Sequence, residues 1–178
     1  IIPGLVGSEM CIRDSDERTL NRNTEAFDDC DLVPKILANV GKPDLSTTVF
    51  GRKISMPIFL SPAAMQRLYH PEGDKASARA AEKFNTFYSM STMSNNSIEQ
   101  IANLSSGPKL FQLYIHKDQS ITDDLIDRCK RANFDGLCLT VDTIVAGNRE
   151  RDHRTGFTTP PKLTLKSLFS CLLYTSDA

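Results

Sequence analysis

Between Met56 and Asp142 short apolar runs alternate with helical patterns, and that alternation narrows the fold more than any other feature of the chain. Met56 to Ser61 (MPIFLS) is an apolar run that breaks at Pro62. Pro71 to Phe84 follows as an alanine-rich helix whose Ala76, Ala80 and Phe84, spaced by four, share one face. Thr86 to Ser91 (TFYSMS) reads as a second strand with Ser89 and Ser91 on one side. Asn96, with Glu99 three residues on, has the spacing of a capping box and opens a helix that buries Ile98, Ile101 and Ala102. In the third strand, Lys109 to Asp118 (KLFQLYIHKD), side chains alternate, so Phe111, Leu113 and Ile115 face one way and Gln112 and Tyr114 the other. Ser120 with Asp123 caps a further helix striped by Ile121, Leu125, Cys129 and Ala132. Gly136 to Asp142 (GLCLTVD) is the fourth strand, with Leu137, Leu139 and Val141 opposite Cys138, Thr140 and Asp142.

Four strands alternating with three helices are βαβ units, hence parallel strands joined by right-handed crossovers. Polar residues gather at the strands' C-terminal ends: Ser61, Ser91, Gln112 with Tyr114, and Thr140 with Asp142. Ligands of β/α folds bind at that end. No GxGxxG, and no GxxxxGK followed by Ser or Thr, comes after any strand, so dinucleotide-binding and P-loop readings lose their main support and a barrel open at the top remains. Ahead of this repeat, DERTLNRNTEAFDD reads as a helix carrying Leu20 and Ala26. Thr47 to Phe50 and Lys53 to Ser55 read as a small hairpin about Gly51-Arg52.

The composition excludes several classes. With 178 residues, 40% hydrophobic and 24% charged, the chain has an ordinary globular composition. Its formal net charge is -1 and its basic residues are scattered, which argues against nucleic acid as the main partner. No apolar run approaches the roughly 20 residues that span a bilayer. The five cysteines, Cys11, Cys30, Cys129, Cys138 and Cys171, are odd in number and lack CxxC spacing, so a reducing compartment is expected and a metal site is not. Cys129 and Cys138 read as buried small apolar residues.

The two ends differ from the middle. The chain begins with Ile1, and residues 1–15 (IIPGLVGSEMCIRDS) have neither a basic leader nor an apolar core long enough for a signal peptide. Both this segment and residues 171–178 (CLLYTSDA) resemble translated adapter read-through. They are set aside as non-native tails, the alternative being genuine disordered ends, and the domain is read between residues 16 and 170 of a fragment.

The runs KISMPIFLSPAAMQRLYHPEG, FYSMSTMS, KLFQLYIHKD and LTVDTIVAGNRERD, in that order, resemble the FMN-dependent L-2-hydroxy-acid oxidase and dehydrogenase family. The likeness covers about Asp16 to Phe169. It implies an α/β fold, the N-terminal half of a TIM (β/α)8 barrel, about four βα units preceded by the helix and hairpin. It also implies FMN as cofactor, bound by Pro62, Ala63 and Ala64 against the ring, by the Ser91 and Thr140 hydroxyls, and by the Gln112 amide. An amide side chain supplies both donor and acceptor to the pyrimidine edge. Tyr114 matches a phenol at the reacting carbon, hence a catalytic and substrate-binding residue. Arg149 matches the guanidinium that holds the substrate carboxylate; without the family, NRERDHR would read as a solvated charged loop. Met93 occupies a site that is aromatic in some members.

The family's upstream tyrosine has no counterpart, and its base histidine belongs to the half beyond Phe169. His70, placed at a helix start, and His116 and His153, placed in polar loops, read as surface residues. Two function classes follow. The first is a fragment, itself inactive, of a dehydrogenase or oxidase that converts a small L-2-hydroxy acid, with lactate expected, to the 2-oxo acid. The second is an inactive half-barrel that serves as a binding or interaction module. For the parent, a homo-oligomer is expected, in the cytoplasm or in peripheral contact with the inner face of the membrane and its quinone.

Overall fold

A computed structural model of the chain describes residues 15–37, 41–141 and 148–156. The chain divides into two compact units, one formed by Val33–Val145 and the other by Ile1–Leu32 with Ala146–Ala178. The tails set aside above, Ser15 excepted, lie outside the described residues, as does Asp142.

The larger unit opens with the hairpin β1 (Thr47–Val49) and β2 (Arg52–Ile54), paired antiparallel with Val49 opposite Arg52. Its turn is Phe50-Gly51, both with positive φ, one residue earlier than the sequence spacing suggests. A two-residue hairpin turn of type I′ requires that conformation at both positions, and Gly51 adopts it without strain. Ile54 is fully buried against Phe87 and Leu110, so the hairpin packs where the strands of the main sheet begin.

The main sheet is parallel, in the order β3 (Tyr88–Ser91), β4 (Lys109–Leu113), β5 (Gly136–Leu139). The helices α2 (Asp74–Lys83), α3 (Ile98–Leu104) and α4 (Gln119–Arg131) are the crossovers. Their apolar faces meet the sheet in one core of Ala78, Ala81, Tyr88, Met90, Ile98, Ile101, Phe111, Leu113 and Cys129. The expected first strand, Met56 to Ser61, shrinks to a single parallel bridge, Leu60 to Tyr88. Leu60 donates to Phe87 O and accepts from Ser89 N–H, whereas Pro57 lacks an N–H and Pro62 ends the run.

Three local expectations shift. The helix expected from Pro71 begins three residues later, at Asp74, after Gly73, whose positive φ of 50° comes with a Cβ position only 2.6 Å from Arg67 Cγ. The capping box of α3 is Ser97 with Gln100, one residue on from Asn96 and Glu99. The cap of α4 is Asp118, whose carboxylate accepts from Ser120 N–H, in place of Ser120 with Asp123. Cys129 is buried as expected, and burial pushes its thiol up to about 12. Cys138 is exposed, contrary to expectation, because β5 has one lateral neighbour, β4, among the described residues.

In the smaller unit α1 (Arg18–Glu25) buries no side chain, and α5 (Glu150–Thr155) carries Arg151, ion-paired with Glu17. NRERDHR is therefore partly helical, with Arg149 at the cap and exposed His153 on the helix. Among the described residues no helix is long and apolar enough to cross a membrane.

Candidate functional site

Parallel pairing aligns Ser91 with Gln112 and Gln112 with Cys138, so inward-facing side chains at the C-terminal ends of β3, β4 and β5 stand side by side. Thr140, two residues past Cys138, shares its face and extends the pairing by donating its N–H to Leu113 O at 3.0 Å. Three of the sequence-derived site residues meet here. Gln112 is only 5% exposed, and its Nε2 donates to Thr140 Oγ1 at 2.7 Å. Its Oε1 accepts from Ser91 Oγ at 3.3 Å and from Thr92 N–H at 3.2 Å.

This inventory fixes what the cluster has left to offer. An amide nitrogen carries two protons, and only one goes to Thr140; Thr140, having accepted, keeps its own hydroxyl proton. Two donors therefore remain beside one acceptor oxygen, whose longer bond to Ser91 is the easier to exchange. A ligand edge with carbonyl oxygens flanking an N–H complements that set.

The loop after Leu60 is tied to the loop after β3. Met65, at a left-handed φ of 50°, donates its N–H to Met93 O at 3.0 Å, and Arg67 N–H donates to Asn95 Oδ1 at 3.1 Å. Pro62 and Ala64 are half-buried and Ala63 is exposed. Met93, between the loops, is 47% exposed.

Tyr114 lies just past the end of β4 and is half-buried; its backbone N–H donates to Thr92 Oγ1 at 3.1 Å. Ile115, expected on the buried face, is exposed because β4 ends at Leu113. His116 is not the surface histidine that was expected: it is partly buried, its Nε2 is enclosed without a hydrogen-bond partner among the described residues, and its backbone N–H donates to the buried Thr122 Oγ1. His70 is exposed, and its Nδ1 accepts from Glu72 N–H. Arg149 belongs to the smaller unit. Its Nη1 lies 3.6 Å from Asp152 Oδ2, and its buried Nε has no hydrogen-bond partner among the described residues.

Two features escape a reading by alternation. Asp74, fully buried, accepts from Tyr88 Oη at 2.8 Å and from Asn95 N–H at 3.4 Å, so it joins α2, β3 and the loop after β3. An acidic residue opening a helix signals a favourable dipole, not a buried partner. The second is Thr92, whose only sequence signal is its place in the hydroxyl-rich run STMSNNS.

Comparison with known proteins bears on these residues. The family model of FMN-dependent dehydrogenase matches residues 12–177. Glycolate oxidase 1 of Oryza sativa subsp. indica is 45% identical over 152 residues, covering 85% of this chain and 41% of the relative. Glycolate oxidase of Spinacia oleracea is 43% identical over the same length and coverage. The chain thus spans 41% of the length of these curated relatives. Among solved structures, a point mutant of the active chimera of (S)-mandelate dehydrogenase superposes with a TM-score of 0.77 at 38% identity, over 86% of this chain and 43% of that one. A Pediococcus acidilactici protein described as a lactate oxidase gives 0.78 at 37%, over 88% and 44%. The α/β architecture is accordingly the N-terminal half of a TIM barrel.

Proposed function

The chain belongs to the FMN-dependent dehydrogenase family, and from that premise we propose that the whole protein oxidises a small L-2-hydroxy acid to the 2-oxo acid. The observation that supports this most is the buried Gln112 amide, engaged at both ends by Ser91, Thr92 and Thr140. Its two remaining donors and exchangeable acceptor complement the pyrimidine edge of a flavin, so the residues present fit FMN. When bound, FMN supplies the two-electron acceptor.

The chain's own residues then divide the work. Ser91, Gln112 and Thr140 hold the flavin edge, and the backbone of Pro62, Ala63 and Ala64 lies against the ring. Tyr114 contacts the substrate at its reacting carbon, and Arg149 takes the carboxylate through two parallel hydrogen bonds. The substrate proposed first is L-lactate. Met93, a flexible thioether with half its surface free, can pack against a methyl group.

The test uses the purified flavoprotein without oxygen, offered glycolate, L-lactate and (S)-mandelate separately while the yellow flavin absorption is followed. Bleaching fastest with L-lactate is the expected result. Faster bleaching with glycolate would replace the substrate and keep the reaction, and no bleaching with any of the three would overturn the reading.

A further inference from the structure

Parallel pairing of β3 with β4 runs Tyr88 to Lys109, Met90 to Phe111 and Ser91 to Gln112, so the residue that would next face Leu113 is Thr92. In a parallel ladder every second residue of a strand donates its N–H to the residue before its partner and accepts, at its C=O, from the residue after it. Tyr88 follows the pattern, since its N–H donates to Pro108 O at 3.1 Å. An uninterrupted ladder would therefore send Thr92 N–H to Gln112 O and Tyr114 N–H to Thr92 O.

The observed bonds differ. Thr92 Oγ1 donates to Gln112 O at 2.5 Å and accepts from Tyr114 N–H at 3.1 Å, so one hydroxyl occupies both rungs in place of its own backbone. The chain has meanwhile turned away, with Ser94 N–H on Ser91 O. Thr92 N–H, released from the ladder, donates to Gln112 Oε1 at 3.2 Å. The other partners of the Gln112 amide, Ser91 and Thr140, are hydroxyls that can donate or accept, and so accommodate either orientation of the amide. A backbone N–H only donates, so Thr92 is the partner that decides which end of the amide is oxygen.

We propose that Thr92 is a positioning residue: by substituting its hydroxyl for its backbone in the β3–β4 ladder, it frees its peptide N–H to set the orientation of the Gln112 amide and, through Tyr114 N–H, the start of the loop that carries the phenol. The proposal rests on the reading that Gln112 binds the flavin. It requires a side chain that donates and accepts through one atom at this reach, which Ser shares with Thr and which Val, equal in shape, does not.

The test measures FMN dissociation from the flavoprotein and its Thr92→Val, Thr92→Ser, Gln112→Ala and Thr92→Val/Gln112→Ala variants, alongside a crystal structure of Thr92→Val. Losing an orienting hydrogen bond should weaken FMN binding by about three- to tenfold in Thr92→Val. Thr92→Ser should restore it, and the double variant should bind no more weakly than Gln112→Ala alone, because Thr92 acts through that amide. Additive losses, or no rescue by Ser, would overturn the proposal. The crystal structure decides independently of the cofactor. Residue 92 N–H should return to Gln112 O and leave Oε1; finding it still on Oε1 would refute the idea. If Gln112→Ala leaves FMN affinity unchanged, the flavin assignment of Gln112 fails, and the crystal structure alone judges the role of Thr92.

Discussion

Gln112 and Arg149 are assigned different duties, and single substitutions separate them. Gln112→Ala removes a buried amide with hydrogen bonds at both ends, so FMN retention and activity should fall together. Arg149→Lys keeps the charge but loses the planar fork, so substrate use should weaken by about 1.5 to 3 kcal/mol while flavin content holds. Flavin stoichiometry with steady-state kinetics on both variants checks this; loss of flavin from Arg149→Lys with normal kinetics in the loaded fraction would remove Arg149 from the substrate. Strand alternation was enough to set Ser91, Gln112 and Thr140 side by side, because the period of two holds as long as the ladder does. Thr92 was not legible for the complementary reason: its bonds arise where the ladder stops, and no periodicity extends past that point. Cys138 was misread because its burial depends on what lies beside β5, which its own sequence neighbourhood does not encode.

At the level of elements, the caps of α3 and α4 moved by a residue or two while the helices themselves stood, but α2 turns Ala78 and Ala81 to the core and leaves Ala80 and Phe84, expected on the shared face, exposed. Asn95, Asn96 and Ser97 are all competent caps, and Glu99 and Gln100 can both close a box, so the spacing rule admits more than one register and tertiary packing selects among them. Two contacts between elements were invisible in sequence and are testable. Tyr88→Phe deletes the hydroxyl that donates to fully buried Asp74, and should lower stability by about 1.5 to 3 kcal/mol in urea unfolding of the flavoprotein. Neutral behaviour would mean that Asp74 finds another donor. Between α3 and α4, Arg128 grips Glu99 with two bonds of 2.8 Å, and its hydrogen bonds pull the Glu99 carboxyl from 4.5 down to about 2. A carboxyl depressed in the folded state adds stability above its unfolded value and loses it as pH falls toward the folded one. The contribution is thus whole above pH 4.5 and fades toward about pH 2. Because both side chains are partly exposed, its size is at most about 1 kcal/mol. Melting temperatures across that window should fall less steeply for Arg128→Gln than for the parent; equal slopes would show the pair to be silent.

For the molecule as a whole, the decisive surface is the one the helices leave uncovered. On β3 and β4 every residue is buried, whereas β5 is exposed from Leu137 through Leu139, the latter at 52%, and Val141 continues the apolar row. A shallow apolar hollow lined by Ile126, Cys129, Phe134 and Leu137 opens beside it. At the other end of the sheet, the Leu60 bridge is all that pairs with the outer edge of β3 among the described residues. A TIM barrel takes roughly 250 residues and closes on itself, and open edges beside an apolar face are templates for association. Expressed as these 178 residues, the chain should aggregate or bind a hydrophobic dye as a loosely packed state, retain little FMN and turn over no hydroxy acid. Substituting Leu137 and Leu139 with Lys should then improve solubility without restoring flavin binding, since the charges cover the face but complete nothing. Size-exclusion chromatography with dye fluorescence and flavin absorbance reads all three quantities. A monodisperse monomer carrying one FMN per chain would show that β5 needs no neighbour and that this half of the barrel is a folding unit in its own right.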